Sequence, residues 1–337
     1  MNFVGKRATI IGLAREGTAL ARFLAERGAQ VTVSDLKGPE ELAESIAALE
    51  GLPIRYALGG HPPEILDGAD VLFISPGVPL EAPIVAEARR QEIPISSETR
   101  LFVELCPALI IGITGSSGKT TTVSLVGEML KAEGLRTWVG GNIGNPLIGH
   151  LEEIKPTDKV VMELSSFQLE LFAPINLGFS PEATFIPEIR DSIPDTNDFG
   201  RKIGHRDLRF EGISPQIACI LNITPNHLDR HPSMEEYIEA KKNIVRYQRP
   251  EDVAILGYDN PISRAIAEEC PGRVVFFSKS EEVEEGAFLR DGEIVVKLDS
   301  SEGRICDVGD IKLLGEHNVL NILAACAISA LAGASKE

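Results

Sequence analysis

The stretch from Ile110 to Thr122, IIGITGSSGKTTT, constrains this chain more than any other. Its apolar run, Leu109 to Ile113, reads as a buried strand, broken by a loop of Thr114, Gly115, Ser116, Ser117 and Gly118. Lys119 then opens a helical pattern with Val123, Val126, Met129 and Leu130 on one face and Gly134 as its stop signal. Strand, glycine loop, lysine and helix make a layout that holds nucleotide phosphates. Glycines let backbone N–H groups converge on the anion, and the helix N-terminus adds partial positive charge. Lys119 can reach the outer phosphates, and the Thr120 hydroxyl can ligand Mg²⁺. The strict pattern has a glycine five residues before Gly118, where this chain has Ile113, so TGSSGKT is a variant. The bland alternative, a Gly/Ser turn between a core strand and a helix, does not account for Lys and Thr directly after the last glycine.

With 337 residues the chain can build two domains with ample cores. A net charge of −17 disfavours nucleic-acid binding through phosphate neutralisation, so an anionic ligand needs a local device such as the glycine loop or a metal ion. The five cysteines, Cys106, Cys219, Cys270, Cys306 and Cys326, are scattered and form no C-x-x-C pair. They read as buried thiols of a reducing, cytoplasmic compartment. The N-terminus has no signal-peptide layout, and the apolar stretch from Val319 to Ala334 reads as a buried helix rather than a membrane span.

Strand and helix patterns alternate over the first hundred residues. Strands are expected at 7–13, 30–34, 71–74 and 93–95, and helices at 18–27 and 83–91. This is the pattern of an open parallel α/β sheet, Rossmann-like, whose ligands sit outside the C-terminal strand ends. A second α/β unit, built on the phosphate-loop strand, begins near Pro107. Its later strands are expected at 159–164, 216–224, 253–256 and 273–277, with a helix from Met234 to Arg246. The expected domains are therefore 1–106 and 107–337. The segment 173–215 carries five prolines and little periodicity, and it reads as a surface insert.

Three features at strand ends of the first domain, Gly12, Asp35 and Ser75-Pro76-Gly77, suit a ligand site. GLAREG, Gly12 to Gly17, follows a strand and opens a helix, but Ala14 replaces the middle glycine of the dinucleotide fingerprint. A nucleotide or nucleotide-sugar and a ligand-free β–α turn both remain open on these residues, with NAD disfavoured. In the second domain Glu163 ends a strand, where sheet geometry can bring it beside Thr120 to hold Mg²⁺. His227, in a loop, and Lys241, on a helix one turn after Tyr237, are by spacing alone an ordinary loop histidine and a solvated lysine.

Six motifs in order resemble the Mur ligases. They are TGSSGKTT at 114–121, GNIG at 141–144, ELSSFQL at 163–169, LNITPNHLDRH at 221–231, YIEAK at 237–241 and GEHNVLN at 315–321. ELSSFQL is similar to the version found in the D-glutamate-adding branch. The resemblance implies an ATP-dependent amide ligase of peptidoglycan precursor synthesis, with UDP-N-acetylmuramoyl-L-alanine and D-glutamate as substrates, and a cytoplasmic monomer. It implies that Thr114, Gly115, Ser116, Ser117, Gly118, Lys119, Thr120 and Thr121 bind ATP, with Lys119 on the β- and γ-phosphates. Thr120 and Glu163 would hold one Mg²⁺. His227 and Lys241 would serve a second, Lys241 as a carbamate. Asn142 would contact the substrate near the reacting carboxylate, and Asn318 and Asn321 would face adenine. Leu13, Ala14, Arg15, Asp35, Leu36 and Ser75 to Gly77 would line the UDP-sugar site, with Ser165 a further substrate contact.

Two departures from the family pattern stand out. The connection from Leu169 to the strand at Gln216 is longer than the family's, and the family continues into a third, amino-acid-binding domain that this sequence does not contain. A fragment that binds substrates but ligates little is therefore expected. Rival readings are a folylpolyglutamate-type ligase, which the SSFQ sequence and the first domain disfavour, and a non-catalytic nucleotide-binding module. A dehydrogenase fails at Ala14.

Overall fold

The computed structural model describes residues 3–174, 212–225, 231, 233–313 and 315–335. His227 and most of the 173–215 segment lie outside them. The chain divides into two compact units. The first comprises residues 1–107, 145–154 and 173–211, and the second comprises 108–144, 155–172 and 212–337.

Unit 1 is a five-stranded parallel sheet in the order β3-β2-β1-β4-β5. Its elements are β1 (Arg7–Ile11), α1 (Arg15–Glu26), β2 (Gln30–Asp35), α2 (Ala43–Ala48), β3 (Ile54–Leu58), β4 (Val71–Ile74), α3 (Pro83–Arg90), β5 (Ile95–Ser96) and α4 (Glu98–Leu105). The order reverses at β1, which pairs with both β2 and β4. That switch point gathers the loops after β1, β2 and β4 at one sheet edge, where a crevice forms outside the strand ends. The helix expected at 18–27 begins earlier, at Arg15, so it starts directly on the loop after β1. Unit 1 is completed by residues 145–154, assigned from sequence to the second domain. Leu147, Ile148 and Leu151 of this segment are buried, Glu98 is hydrogen-bonded by the Ile148 backbone, and Arg27 pairs with Glu152 at 2.7 Å.

Unit 2 is a nine-stranded sheet in the order β14-β13-β12-β11-β10-β9-β6-β8-β7. It comprises β6 (Leu109–Thr114), α5 (Lys119–Ala132), β7 (Thr137–Gly141), β8 (Lys159–Glu163), α6 (Ser166–Glu170), β9 (Ile217–Ile220), α7 (Met234–Arg246), β10 (Val253–Gly257) and α8 (Pro261–Ala265). It ends with β11 (Arg273–Ser278), β12 (Gly286–Arg290), β13 (Glu293–Leu298), β14 (Ser301–Asp307) and α9 (Glu316–Leu331). Strands β7 to β12 run parallel, and β12-β13-β14 form an antiparallel end. Every residue of β6, LIIGIT, is buried, as a central parallel strand covered on both faces requires. Helices α5 and α9 pack over one core with Ile111, Ile113, Val126, Leu130, Leu323 and Ile328. The apolar stretch expected to be a buried helix is the body of α9, with Ile322 to Ile328 at most 6% exposed. Helix α7 matches its expected span, started by Ser233, whose hydroxyl accepts the Glu236 N–H at 3.2 Å.

The sequence boundary of the insert needs correction at its C-terminal end. Residues 212–215 belong to the unit 2 core. The Ile213 N–H donates to the Phe172 carbonyl at 2.9 Å, and the Ser214 hydroxyl donates to the Asn243 carbonyl at 2.8 Å while accepting the Tyr247 N–H at 3.0 Å. Pro215 packs on Gly112 of β6 so closely that a Cβ there would lie 2.5 Å from its ring. The expected strand 216–224 is also shorter, since the chain turns off after Ile220 to wrap the phosphate loop.

Candidate active site

Gly118 stands at the N-cap of α5 with φ +83° and no side-chain cap, so the first-turn N–H groups of α5 face outward without an intrahelical acceptor. The first turn closes at Thr122, whose N–H donates to the Gly118 carbonyl at 3.0 Å. The N–H groups ahead of it belong to Lys119, Thr120 and Thr121. Thr121 is half-buried and sits in this first turn. The ATP contact expected of Thr121 would therefore run through its main-chain N–H, while Thr120 offers its hydroxyl. A non-glycine residue at 118 would carry both a left-handed strain and a Cβ 2.2 Å from Asn321 Oδ1. Asn321, on α9 and nearly buried, donates from Nδ2 to Asn318 Oδ1 at 3.1 Å. Of these two asparagines, with adenine roles expected from the resemblance, Asn321 sits against the phosphate loop and holds Asn318 beside it.

The loop is held from its other side by Leu221–Thr224. The Leu221 N–H donates to the Thr114 carbonyl and the Ser116 N–H to the Asn222 carbonyl, both at 2.9 Å. Asn222 Oδ1 accepts the Ser117 N–H at 3.0 Å, and its Nδ2 donates to the Ser117 carbonyl at 3.2 Å. The Ser116 hydroxyl donates to the Thr224 carbonyl and accepts the Thr224 N–H, each at 2.9 Å. Asn222 and Thr224 have no part in the sequence-based site. The signal for them is their position directly after a strand neighbouring β6. These bonds occupy the Ser116 and Ser117 N–H groups, whereas the first-turn N–H groups of Lys119, Thr120 and Thr121 at the start of α5 have no intrahelical acceptor.

At the adjoining strand ends, Glu163 is 3% exposed. Its Oε2 accepts the Thr120 hydroxyl at 2.7 Å, and its Oε1 accepts Asn142 Nδ2 at 3.0 Å. Three residues from α5, β8 and the turn after β7 therefore converge, as expected for Thr120 and Glu163. A hydroxyl and a buried carboxylate with only neutral hydrogen-bond partners form the oxygen-rich pair that Mg²⁺ prefers. Lys119 donates to the Gly115 carbonyl at 2.9 Å; burial lowers its pKa and Glu163 opposes the fall.

Lys241 is far from a solvated lysine. It is 1% exposed, its Nζ donates to Thr114 Oγ1 and the Gly115 carbonyl at 3.1 Å each, and it lies 4.8 Å from the Tyr237 ring centroid. Burial, and secondarily the charge of Lys119, push its pKa down to about 7. On the same side of α7 sits His231, buried, stacked on Phe167 and bonded to Ser166 Oγ at 2.9 Å, which ties α6 to α7. Ser165 and Gln168 form a capping box at the start of α6, with the Ser165 N–H on Gln168 Oε1 at 3.0 Å and the Gln168 N–H on Ser165 Oγ at 3.3 Å. The SSFQ segment therefore has a structural duty as well as its expected substrate contact.

In unit 1, Asp35 Oδ2 accepts the Leu13 N–H at 2.7 Å and Oδ1 accepts the Lys37 N–H at 2.9 Å. Asp35 thus fixes the loop after β1. Leu13 is 0% exposed, with its side chain in the core and its N–H taken by Asp35. Ala14 and Arg15 are exposed, Leu36 is 72% exposed, and Ser75, Pro76 and Gly77 follow β4 at the same sheet edge.

The family description of the Mur ligase middle domain matches residues 113–191 and 201–329, which is more than half of the chain. The chain belongs to the Mur ligases. A description of the MurD-like Mur ligase N-terminal domain matches residues 6–97. Among curated Mur ligases, UDP-N-acetylmuramoylalanine–D-glutamate ligase of Acetivibrio thermocellus is 39% identical over 96% of this chain and 61% of its own length. The protein of the same description from Symbiobacterium thermophilum is 40% identical over 98% of this chain and 64% of its own length. The chain thus spans a little over 60% of the length of such relatives. A solved Mur ligase structure, UDP-N-acetylmuramate:L-alanyl-gamma-D-glutamyl-meso-diaminopimelate ligase from Neisseria meningitides, superimposes with a TM-score of 0.58 at 21% identity. It covers 98% of this chain and 95% of that one. A murein peptide ligase from Psychrobacter arcticus gives 0.54 at 15%, over 99% and 66%. At these identities the structures bear on fold alone. Among the described residues, no helix is long and apolar enough to cross a membrane.

Proposed function

We propose that this chain carries the nucleotide-binding parts of an ATP-dependent ligase that joins D-glutamate to UDP-N-acetylmuramoyl-L-alanine. The observation that carries the reading is the convergence of Thr120, Glu163 and Asn142 beside an uncapped helix N-terminus. The curated relatives that share the sequence at about two positions in five are described as D-glutamate ligases. The same reading makes the protein a cytoplasmic monomer.

The L-alanyl carboxylate of the UDP-linked substrate attacks the γ-phosphorus of ATP, breaking the bond to the bridging oxygen and releasing ADP. The D-glutamate amine then adds to the acyl phosphate, inorganic phosphate leaves, and the amine gives up a proton. The first step joins two anions, so charge neutralisation decides its rate. The N–H groups of Lys119, Thr120 and Thr121 and the Lys119 ammonium hold the β- and γ-phosphates. Thr120 and Glu163 would hold one Mg²⁺, which supplies Lewis-acid neutralisation of the phosphate oxygens. Asn142, through Glu163, positions that carboxylate and faces the substrate. Asn318 and Asn321 receive the adenine. In unit 1, Asp35, Arg15, Leu36 and Ser75 to Gly77 receive the UDP-sugar.

Lys241, as a carbamate, would hold a second Mg²⁺ together with His227. A carbamate forms when a neutral amine attacks CO₂ and a proton is released. Burial that brings the Lys241 pKa to about 7 keeps the neutral amine populated near neutral pH. The product is an anionic oxygen ligand in place of an ammonium, which would repel a cation.

The test is calorimetry of Mg·ATP on the 337-residue chain and on Lys119→Ala. Binding lost in a folded variant supports the reading, and unchanged affinity refutes it. ADP formation that depends on UDP-N-acetylmuramoyl-L-alanine separates a ligase from a passive binding module.

A further inference from the structure

Unit 1 has a second concave surface at the sheet edge opposite its strand-end loops. The β1-β2-β3 register pairs Arg7 with Gln30, Thr9 with Thr32, and Thr32 with Arg55, which places these five side chains on one face. The other face is Ala8, Ile10, Val31 and Val33, all buried, and Ile10 lies against Gly17 of α1. Parallel sheets normally bury both faces under helices, and both then read as apolar. Here the connection from β3 to β4 carries only a single 3₁₀ turn, Pro63–Leu66, whose Ile65 carbonyl accepts the buried Thr9 hydroxyl at 2.7 Å. A cavity of about 520 Å³ remains at this edge, with Arg7, Thr32, Arg55, Glu64 and Asp67 among its lining residues.

Two features of this cavity point to an anionic ligand. Among the described residues neither Arg7 nor Arg55 takes part in a salt bridge, in a chain of net charge −17. The exposed Arg7 guanidinium also lies close against Gly68, where a Cβ would come within 2.4 Å of Nη1. Strand spacing and the two-residue offset put the two arginine Cα atoms roughly 12 Å apart, with β2 between them. The side chains can each engage one end of an extended molecule, and a guanidinium fork matches a carboxylate bidentately. Glu64 and Asp67 add negative charge to the same lining. A phosphate group, at nearly two negative charges, would meet twice the repulsion that a carboxylate meets.

We propose that this cavity binds a small linear dicarboxylate, with one carboxylate on Arg7 and the other on Arg55. The probe is adipate, with propionate as the single-carboxylate control at matched ionic strength. The readout is the arginine Nε–Hε resonances of the 337-residue chain, with thermal melts to verify the fold of each variant. Adipate should shift the Arg7 and Arg55 signals along one saturable curve, with propionate and Arg55→Gln each weaker by about tenfold. Arg7→Gln should do the same, and Glu64→Gln should tighten adipate about twofold by removing a like charge. Unsaturable shifts, equal affinity for propionate, or full adipate affinity in folded Arg55→Gln would overturn the proposal.

Discussion

Replacing Lys241 by methionine should make unit 2 more stable at low pH and remove a pH dependence expected of the native chain. The side chain is 1% exposed, and its pKa falls from 10.5 to about 7, chiefly through desolvation. Above 10.5 neither state is charged and there is no penalty. As pH falls from 10.5 towards 7, the unfolded chain takes up a proton that the folded chain does not, so folding is progressively disfavoured. Below about 7 both states are protonated and the penalty is complete, on the order of 5 kcal/mol. Stability therefore rises with pH across that window. Lys241→Met removes the penalty but leaves Thr114 Oγ1 and the Gly115 carbonyl without this donor, at about 1 kcal/mol each. The net expectation is a gain of about 3 kcal/mol near pH 6, vanishing by about pH 9.5. The chain has one tryptophan, Trp138, on β7, so its fluorescence in urea reports on unit 2. Measured in carbonate-free buffer, equal stability differences between the two proteins at both pH values would refute the reasoning. Added bicarbonate should stabilise native unit 2 and not the variant, because carbamate capture draws on the folded state's neutral amine.

Glu163→Gln should keep the fold and the Thr120 contact yet lose the Mg²⁺ dependence of ATP binding, seen by calorimetry with and without the metal. Gly118→Ala should destabilise unit 2 by about 1–2 kcal/mol from the left-handed backbone alone, read from Trp138, and weaken ATP further through the clash with Asn321. Asn222→Ala removes the Ser117 clamp and should raise the ATP Kd with a stability loss of about 1–2 kcal/mol. Ser214→Ala should cost about 2 kcal/mol in urea, because a buried acceptor and a donor both lose their partner.

What the sequence disclosed follows from how each element announces itself. Central strands such as β6 and helices with a cap and a stripe, such as α7 after Ser233, are local signals. The α/β class and the phosphate loop were therefore legible. The β12-β13-β14 end is not legible because its residues mix charge with apolar positions, and neither GAFLR nor SEGRICD has an apolar run longer than three residues. Proline content places segment 212–215 in the insert, yet Ser214 and Pro215 are fixed by Asn243, Tyr247 and Gly112, contacts distant in sequence. The burial of Lys241 was invisible for the same reason. Its helix places it on the face turned to Thr114 and Gly115, and no spacing rule encodes which face of α7 meets β6. Leu13 looked like a ligand contact from its motif, whereas its side chain is core and its N–H serves Asp35. The motif likewise named Ser116, Ser117 and Thr121 alike, whereas Leu221–Thr224 take up the serine N–H groups and leave that of Thr121 in the open first turn of α5.

The excursion of residues 145–154 has a consequence for synthesis on the ribosome. Unit 1 cannot close over Leu147, Ile148 and Leu151 until residue 154 has left the exit tunnel, by which time β6, α5 and β7 of unit 2 are already outside. Vectorial folding that finishes one domain before the next begins is thus closed to this chain. The strands β6 and β7 must wait beside an incomplete neighbour, with β8 still to be made between them. Slow codons or a pause near residue 107, a natural choice for a two-domain protein, would hold unit 1 in an unfinished state rather than help it fold.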